Sequence, residues 1–303
     1  LYYNVDQTAC VGALFKSEVH PFNNLCPNPI YFLAWTTTPW TLPANTALAV
    51  GNNITYSLVK TFNPYTKKPI NIVFAEKLKA DVLRDFVEVF NSKDLVFRAK
   101  KNTYLILGSF LGKDLVGLKY EQLLKFCQPF EKKENAFVVV HGDFVNTDGG
   151  TGIVHMAPTF GADDKIVAEN NDIPGMLVLD NKNNPVPIVN KKGQYIDCVG
   201  EFSGRYVKKE FSDTEKQSLD IDIAIKLKGL GLAFRVEKYS HSYPHCWRTD
   251  KPILYYPLNS WFIKTSSEKN KMLKNNSSVF WQPKSTGDGR FKNWLENLND
   301  WNL

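Results

Sequence analysis

Three threonines in succession, Thr36, Thr37 and Thr38, stand at the end of an apolar run and are stopped by Pro39. Each hydroxyl both donates and accepts a hydrogen bond, so a row of them held still could grip a polar ligand or a water molecule. Side chains in a strand alternate faces, which puts Thr36 and Thr38 on one side and Thr37 on the other. Pro39 has no N–H for a ladder, so the strand ends there and leaves neighbouring backbone groups free for a ligand. Threonine is also simply a good strand residue, and the row alone does not decide between the two readings. A second constellation weighs for the first. His155 follows a glycine-rich turn, NTDGGTG (146–152), and Asp164 falls nine residues later in the first turn of a helical segment, where negative charge is favoured.

Other chemistries can be set aside. The run Gly150-Thr151-Gly152 is no phosphate loop, because no lysine follows at the required distance and no GxGxxG is present. His241, His245 and Cys246 lie close together, but no second matched pair completes a zinc site, so no metal is expected. A GxSxG nucleophile elbow is missing, and neither a serine nor a cysteine hydrolase is expected.

The elements needed to hold these residues are legible as patterns. At 303 residues the chain can bury the core of one large domain or two ordinary ones. It is 43% hydrophobic and 22% charged, and no apolar run approaches the roughly 20 residues of a membrane helix, so no membrane association is expected. The five cysteines are odd in number, dispersed and without a CxxC pair, which points to a reducing compartment. The net charge of +6 hints at an anionic partner, although lysines often serve only as a solvated face. No secretory signal opens the chain, and its first residue, Leu1, suggests an excised piece.

YFLAWTTT (31–38) reads as a buried strand, followed by strands over TALAV and ITYSLVK. In Ala75–Phe90 the spacing of Leu78, Val82, Phe86 and Phe90 predicts a helix. Residues 136–158 read as strand, glycine turn, strand, and Gly161–Asn171 as a short helix. Ser212 with Glu215 forms a capping-box pattern ahead of a helix carrying Leu219, Ile223, Leu227 and Leu230, closed by Gly229 or Gly231. Strands dominate without regular βαβ alternation, which predicts a mixed α/β (α+β) fold: a closed or partly closed β-barrel decorated by helices. The last seventy residues are rich in aromatics and prolines and end on an amphipathic helix.

Five motifs in order, WTTTPWTLPAN, GGTGIVHMAPTFGADD, HSYPHCWRTDKPI, SWFI and GRFKNWLENLNDW, resemble the editing insertion (CP1) of isoleucyl-tRNA synthetases, class I enzymes. The resemblance runs from about Tyr31 to the C-terminus. Valyl and leucyl relatives carry Thr-Thr-Arg-Pro in the first motif, whereas Thr38 and Trp40 give the isoleucine pattern. The paired cysteines of a metal ribbon seen in some relatives are missing, and KTFNPYTKKP and NKNNP match nothing in the family.

The resemblance implies a lead-in segment (1–30), an editing domain (31–236) and a return segment toward the catalytic core (237–303). It implies hydrolysis of valine mis-esterified to the isoleucine tRNA, with valyl-adenylate a further candidate substrate. Thr36, Thr37, Thr38 and Asn45 would position the water, the ester carbonyl and the terminal ribose. Trp40 would pack around the adenosine or valyl group, Thr41 would join the binding site, His155 would line the side-chain pocket, and Asp164 would anchor the α-ammonium. The nucleotide-binding signatures HxGH and KMSKS are absent from this chain. No cofactor is therefore implied, and ATP would serve only the synthetic core. The implied partners are the tRNA acceptor end and the rest of the synthetase, and a cytoplasmic monomer is expected. The competing expectation is a module that binds the acceptor end without hydrolysing it.

Overall fold

The computed structural model describes residues 2–22, 24–98 and 101–303. Residue contacts divide the chain into two units, Leu1–Tyr256 and Pro257–Leu303. In the first, the strands are β1 (Tyr2–Ser17), β2 (Ile30–Thr36), β3 (Ala47–Val50), β4 (Thr55–Phe62), β5 (Pro69–Ala75), β6 (Phe86–Glu88), β7 (Asn102–Leu111), β8 (Val138–His141), β9 (Val154–Met156), β10 (Leu177–Leu179), β11 (Pro185–Pro187) and β12 (Ala233–His245). The helices of this unit are α1 (Lys79–Val82), α2 (Ala162–Asn170) and α3 (Leu219–Leu230).

Ten of these strands form one mixed sheet in the order β6-β7-β4-β5-β2-β9-β3-β8, with β1 branching off to pair both β2 and β12. The fold is mixed α/β, as the patterning predicts. Its strand pairing is an open, branched path: among the described residues β6 and β8, the two ends, do not pair, so hydrogen bonding does not close the expected barrel. β10 and β11 form a separate two-stranded hairpin. Burial explains the order, because β2 and β3 sit inside the sheet and carry almost unbroken apolar runs, IYFLAWT and ALAV. Phe15, Phe32, Leu48, Tyr56 and Phe74 are fully buried around them.

The long strand β1 pairs with β12 from Tyr2↔His245 onward and with β2 from Val11↔Thr36. Residues 2–17 are therefore sheet, and the strand pairing carries the first unit past residue 236 to Tyr256. The helix expected over Ala75–Phe90 is shorter. A 3-10 turn, Glu76–Leu78, runs into α1, and Phe86–Glu88 becomes β6, parallel to β7. Tertiary packing overrides the helical spacing there: Phe86 stacks on Phe234 at 5.5 Å, and Glu88 takes bonds from Lys79 and Tyr104. The cap of α3 is Ser218, whose side chain accepts from the Asp220 N–H, while Ser212 bonds Thr214 and Glu215 is held by Arg205 and the Tyr206 N–H. Gly231, at φ 71°, ends that helix. The expectation of unpaired cysteines is corrected too: Cys127 and Cys198, distant in sequence, are disulfide-bonded, while Cys10, Cys26 and Cys246 are free.

The second unit contains α4 (Lys269–Ser278), a π-helical turn Thr286–Phe291 leading into α5 (Lys292–Glu296), and a short pair of strands, β13 (Phe262–Ile263) and β14 (Trp301–Asn302). Trp281 packs on Phe291 at 5.2 Å. A Cβ on Gly287 would sit 2.1 Å from the Trp281 ring, so only glycine fits that turn. No helix of the described residues is long and apolar enough to cross a membrane.

Candidate active site

Three segments meet at the threonine row. β2 delivers Thr36, and the 3-10 turn Pro39–Ala44, with Pro39 at its start, carries Trp40 and Thr41 and ends on Asn45. β9, beside β2 and antiparallel to β3 with His155 opposite Leu48, delivers the histidine. The glycine-rich turn makes this approach possible. Gly152 lies at φ 71°, its carbonyl accepts from the Tyr56 hydroxyl at 2.7 Å, and an added Cβ would fall 2.3 Å from that of Ala75.

The hydroxyls of Thr36 and Thr38 are 3.5 Å apart, as are those of Thr38 and Thr41, and the Thr38 N–H donates to Thr36 Oγ1 at 3.1 Å. Thr37 does not join this group. Its carbonyl accepts from Thr8 Oγ1 at 2.9 Å, and Thr8 Oγ1 also contacts His241 Nε2. His241 and His245 lie on β12, where each takes protein partners.

The orientation of His155 follows from its neighbours. The Tyr120 hydroxyl donates to Asn45 Oδ1 at 2.6 Å, which turns the Asn45 amide nitrogen toward Ala47 O at 2.8 Å and His155 Nδ1 at 3.0 Å. Nδ1 must then accept, so Nε2 carries the proton and donates to Thr41 Oγ1 at 2.8 Å. Thr41 in turn gives its own proton to the Thr38 carbonyl at 2.8 Å. The result is a directional chain, Tyr120 to Asn45 to His155 to Thr41 to Thr38. Burial lowers the His155 pKa to about 4, so the ring is neutral at pH 7. With both nitrogens committed and little basicity, it is no general base.

Two of the expected site residues are almost fully buried. Asn45 is 1% exposed with both amide atoms bonded internally, and it orients His155. Trp40 is 3% exposed and packs into the core with its ring edge-on to Phe160 at 5.3 Å. Thr38, half-buried, is the outermost hydroxyl of the cluster.

Asp164 is also half-buried. Its Oδ2 accepts from the Ala157 N–H at 2.8 Å, two residues past His155, which ties the start of α2 to the end of β9. Gly161 permits the fold-back, because a Cβ there would meet Asp164 Oδ2 at 2.7 Å. Burial raises the Asp164 pKa, the Ala157 N–H pulls it down, and Asp163 pushes it up. The structure thus joins Thr36, Thr38, Thr41, Asn45 and His155 in one hydrogen-bonded cluster, with Asp164 linked to it through the chain from His155 to Ala157. Tyr120, which sets the whole orientation, carries no local sequence signal.

Fixed hydroxyls, a neutral histidine with both nitrogens committed, and a half-buried carboxylate tied to the neighbouring chain can orient a polar substrate. The chain belongs to the class I tRNA synthetases of the isoleucine, leucine, methionine and valine group, whose family model matches residues 13–303. Within that class its curated relatives include isoleucine–tRNA ligases: that of Cytophaga hutchinsonii is 50% identical over all of this chain and 28% of its own length, and that of Porphyromonas gingivalis is 44% identical over the same shares. The ligase of Clostridium tetani is 40% identical over 90% of this chain and 22% of its own. The chain therefore spans under a third of the relatives it matches. Among solved structures, GlLeuRS-CP1 (TM-score 0.49, 16% identity) aligns over 75% of this chain and 98% of its own. The cytosolic leucyl-tRNA synthetase editing domain of P. knowlesi (TM-score 0.49, 14% identity) aligns over 77% and 97%.

Proposed function

We propose that this chain is the editing portion of an isoleucyl-tRNA synthetase and hydrolyses valine esterified to the isoleucine tRNA. The observation that carries the reading is the hydroxyl cluster of Thr36, Thr38 and Thr41, braced by neutral His155, with the carboxylate of Asp164 tied to Ala157 two residues along the chain from His155. Asp164 receives the α-ammonium of the valyl group as a charge-assisted hydrogen bond. Thr38, the outermost hydroxyl, aligns the attacking water with the ester carbonyl. His155 contributes ring bulk, because its nitrogens are spoken for, and so limits the side chain that fits.

Water adds to the carbonyl carbon, the ester bond to the ribose oxygen breaks, and that oxygen takes a proton to regenerate the hydroxyl. Free valine and uncharged tRNA result. Catalysis rests on orientation and fixed dipoles, with proton transfer left to solvent and a neighbouring ribose hydroxyl of the tRNA. Valyl-adenylate, whose valyl group bears the same ammonium, fits the same contacts. The reading places the rest of the synthetase and the tRNA acceptor end as partners and the enzyme as a monomer, with no cofactor for this hydrolysis.

The Asp164→Ala variant tests the anchor. Losing a charge-assisted contact worth about 1.5–3 kcal/mol is expected to cut kcat/KM for valyl-tRNA deacylation by roughly 10- to 150-fold. A folded variant that deacylates at the unmodified rate would remove Asp164 from the site.

A further inference from the structure

Behind the threonine turn lies a group of buried ionisable side chains that this chemistry does not touch. Asp220, the second residue of α3, is 1% exposed, and its Oδ1 accepts from the Trp40 N–H at 2.9 Å. Tyr195, also fully buried, donates its hydroxyl to the Trp40 carbonyl. The N–H and the C=O of one residue are thus both held by side chains from distant parts of the chain. Lys208, 4% exposed, lies 3.9 Å over the Tyr243 ring and 3.9 Å from Asp6, and its charge acts on Asp220.

The Pro39–Ala44 turn is braced from outside at Trp40. Two of its six residues are prolines without N–H groups, and Thr41 N–H to Thr38 O at 3.0 Å and Asn45 N–H to Leu42 O at 3.1 Å tie its two ends to the flanking residues. Thr41 and Asn45, which grip the two nitrogens of His155, both hang from this turn. A carboxylate is a costly means of holding one backbone N–H inside a core unless it is compensated. Here Lys208, the Ser218 hydroxyl and the start of α3 supply that compensation, while burial still pushes the Asp220 pKa up to about 6.

We propose that Asp220, seconded by Tyr195, is a positioning residue of the deacylation site, which fixes Trp40 and through it the hold of Thr41 and Asn45 on His155. This inference rests on the proposed function, and its test separates the two. Valyl-tRNA deacylation is measured for the 303-residue chain and for its D220A, D220N and Y195F variants. Displacement of a site by a fraction of an ångström is expected to lower the maximal rate of D220A by about tenfold or more, with KM within roughly twofold because no substrate contact is lost. D220N, whose amide oxygen still accepts from the Trp40 N–H, is expected to recover most of the rate.

A folded D220A at the unmodified rate overturns the inference, and so does a D220N as impaired as D220A. Should D220A fail to fold, Y195F decides: a lower maximal rate at constant KM supports the inference, and an unchanged rate overturns it. If the unmodified chain hydrolyses no aminoacyl-tRNA, the proposed function fails, and the clamp is read instead from amide hydrogen exchange at Trp40 and Thr41. Faster exchange in whichever variant folds supports the clamp, and unchanged exchange overturns it.

Discussion

Asn45→Ala is expected to lower the unfolding free energy by about 2–5 kcal/mol, because it orphans two groups at once. The Tyr120 hydroxyl loses its acceptor and His155 Nδ1 loses its donor, and both residues are buried. Each unsatisfied buried polar group costs about 1–3 kcal/mol. Alanine also removes the side-chain donor to Ala47 O and Met156 O. Urea unfolding would read the effect as a lower midpoint at an unchanged slope. A loss below about 1 kcal/mol would mean that Asn45 is not the link between Tyr120 and His155. Deacylation should fall in the same variant, as a consequence of a free His155 ring and not of a lost substrate contact.

The second large effect is a pH dependence. His155 titrates at about 4 in the fold, against 6.5 for the unperturbed side chain, because burial disfavours its charged form. The unfolded chain therefore takes up a proton that the folded chain refuses. The stabilisation is complete above pH 6.5, and it is lost as pH falls from 6.5 through 4. The size of the loss is about 3 kcal/mol over that window. Carboxylates also weaken a fold in acid, so the clean readout is the difference between the unmodified chain and His155→Gln. The difference curve should descend between pH 6.5 and pH 4, whereas a flat one would mean that His155 is protonated without penalty.

The residues that declared themselves in the sequence did so by local pattern. Thr36 and Thr38 mark a strand end, Asp164 a helix start, and the glycines of the 146–152 run a turn between strands, and each has a local physical cause. The sites that escaped depend on partners far along the chain. Tyr120 is 75 residues from the Asn45 it orients, and Asp220 is 180 from the Trp40 it holds. No periodicity carries such information, and an aspartate in the first turn of a helix reads as an ordinary dipole partner. The same limit explains Phe86, whose helical spacing yielded to stacking on Phe234, and the Cys127–Cys198 bond, which distant loops bring together. Asn45 and Trp40 were placed at the ligand by resemblance. In the structure both are buried, Asn45 bonded to His155 and Trp40 held by Asp220.

Hydrolysis of valyl-tRNA and isoleucyl-tRNA, both made on the isoleucine tRNA and presented to the unmodified chain, is the most direct test. In this synthetase family one methylene is known to be worth about 1–3 kcal/mol in a hydrophobic pocket, or roughly 10- to 200-fold. Loss of valine at least about tenfold faster than loss of isoleucine is the expected result. Equal rates for the two esters would contradict size exclusion at His155, and binding of the tRNA without loss of either amino acid would contradict the deacylase itself.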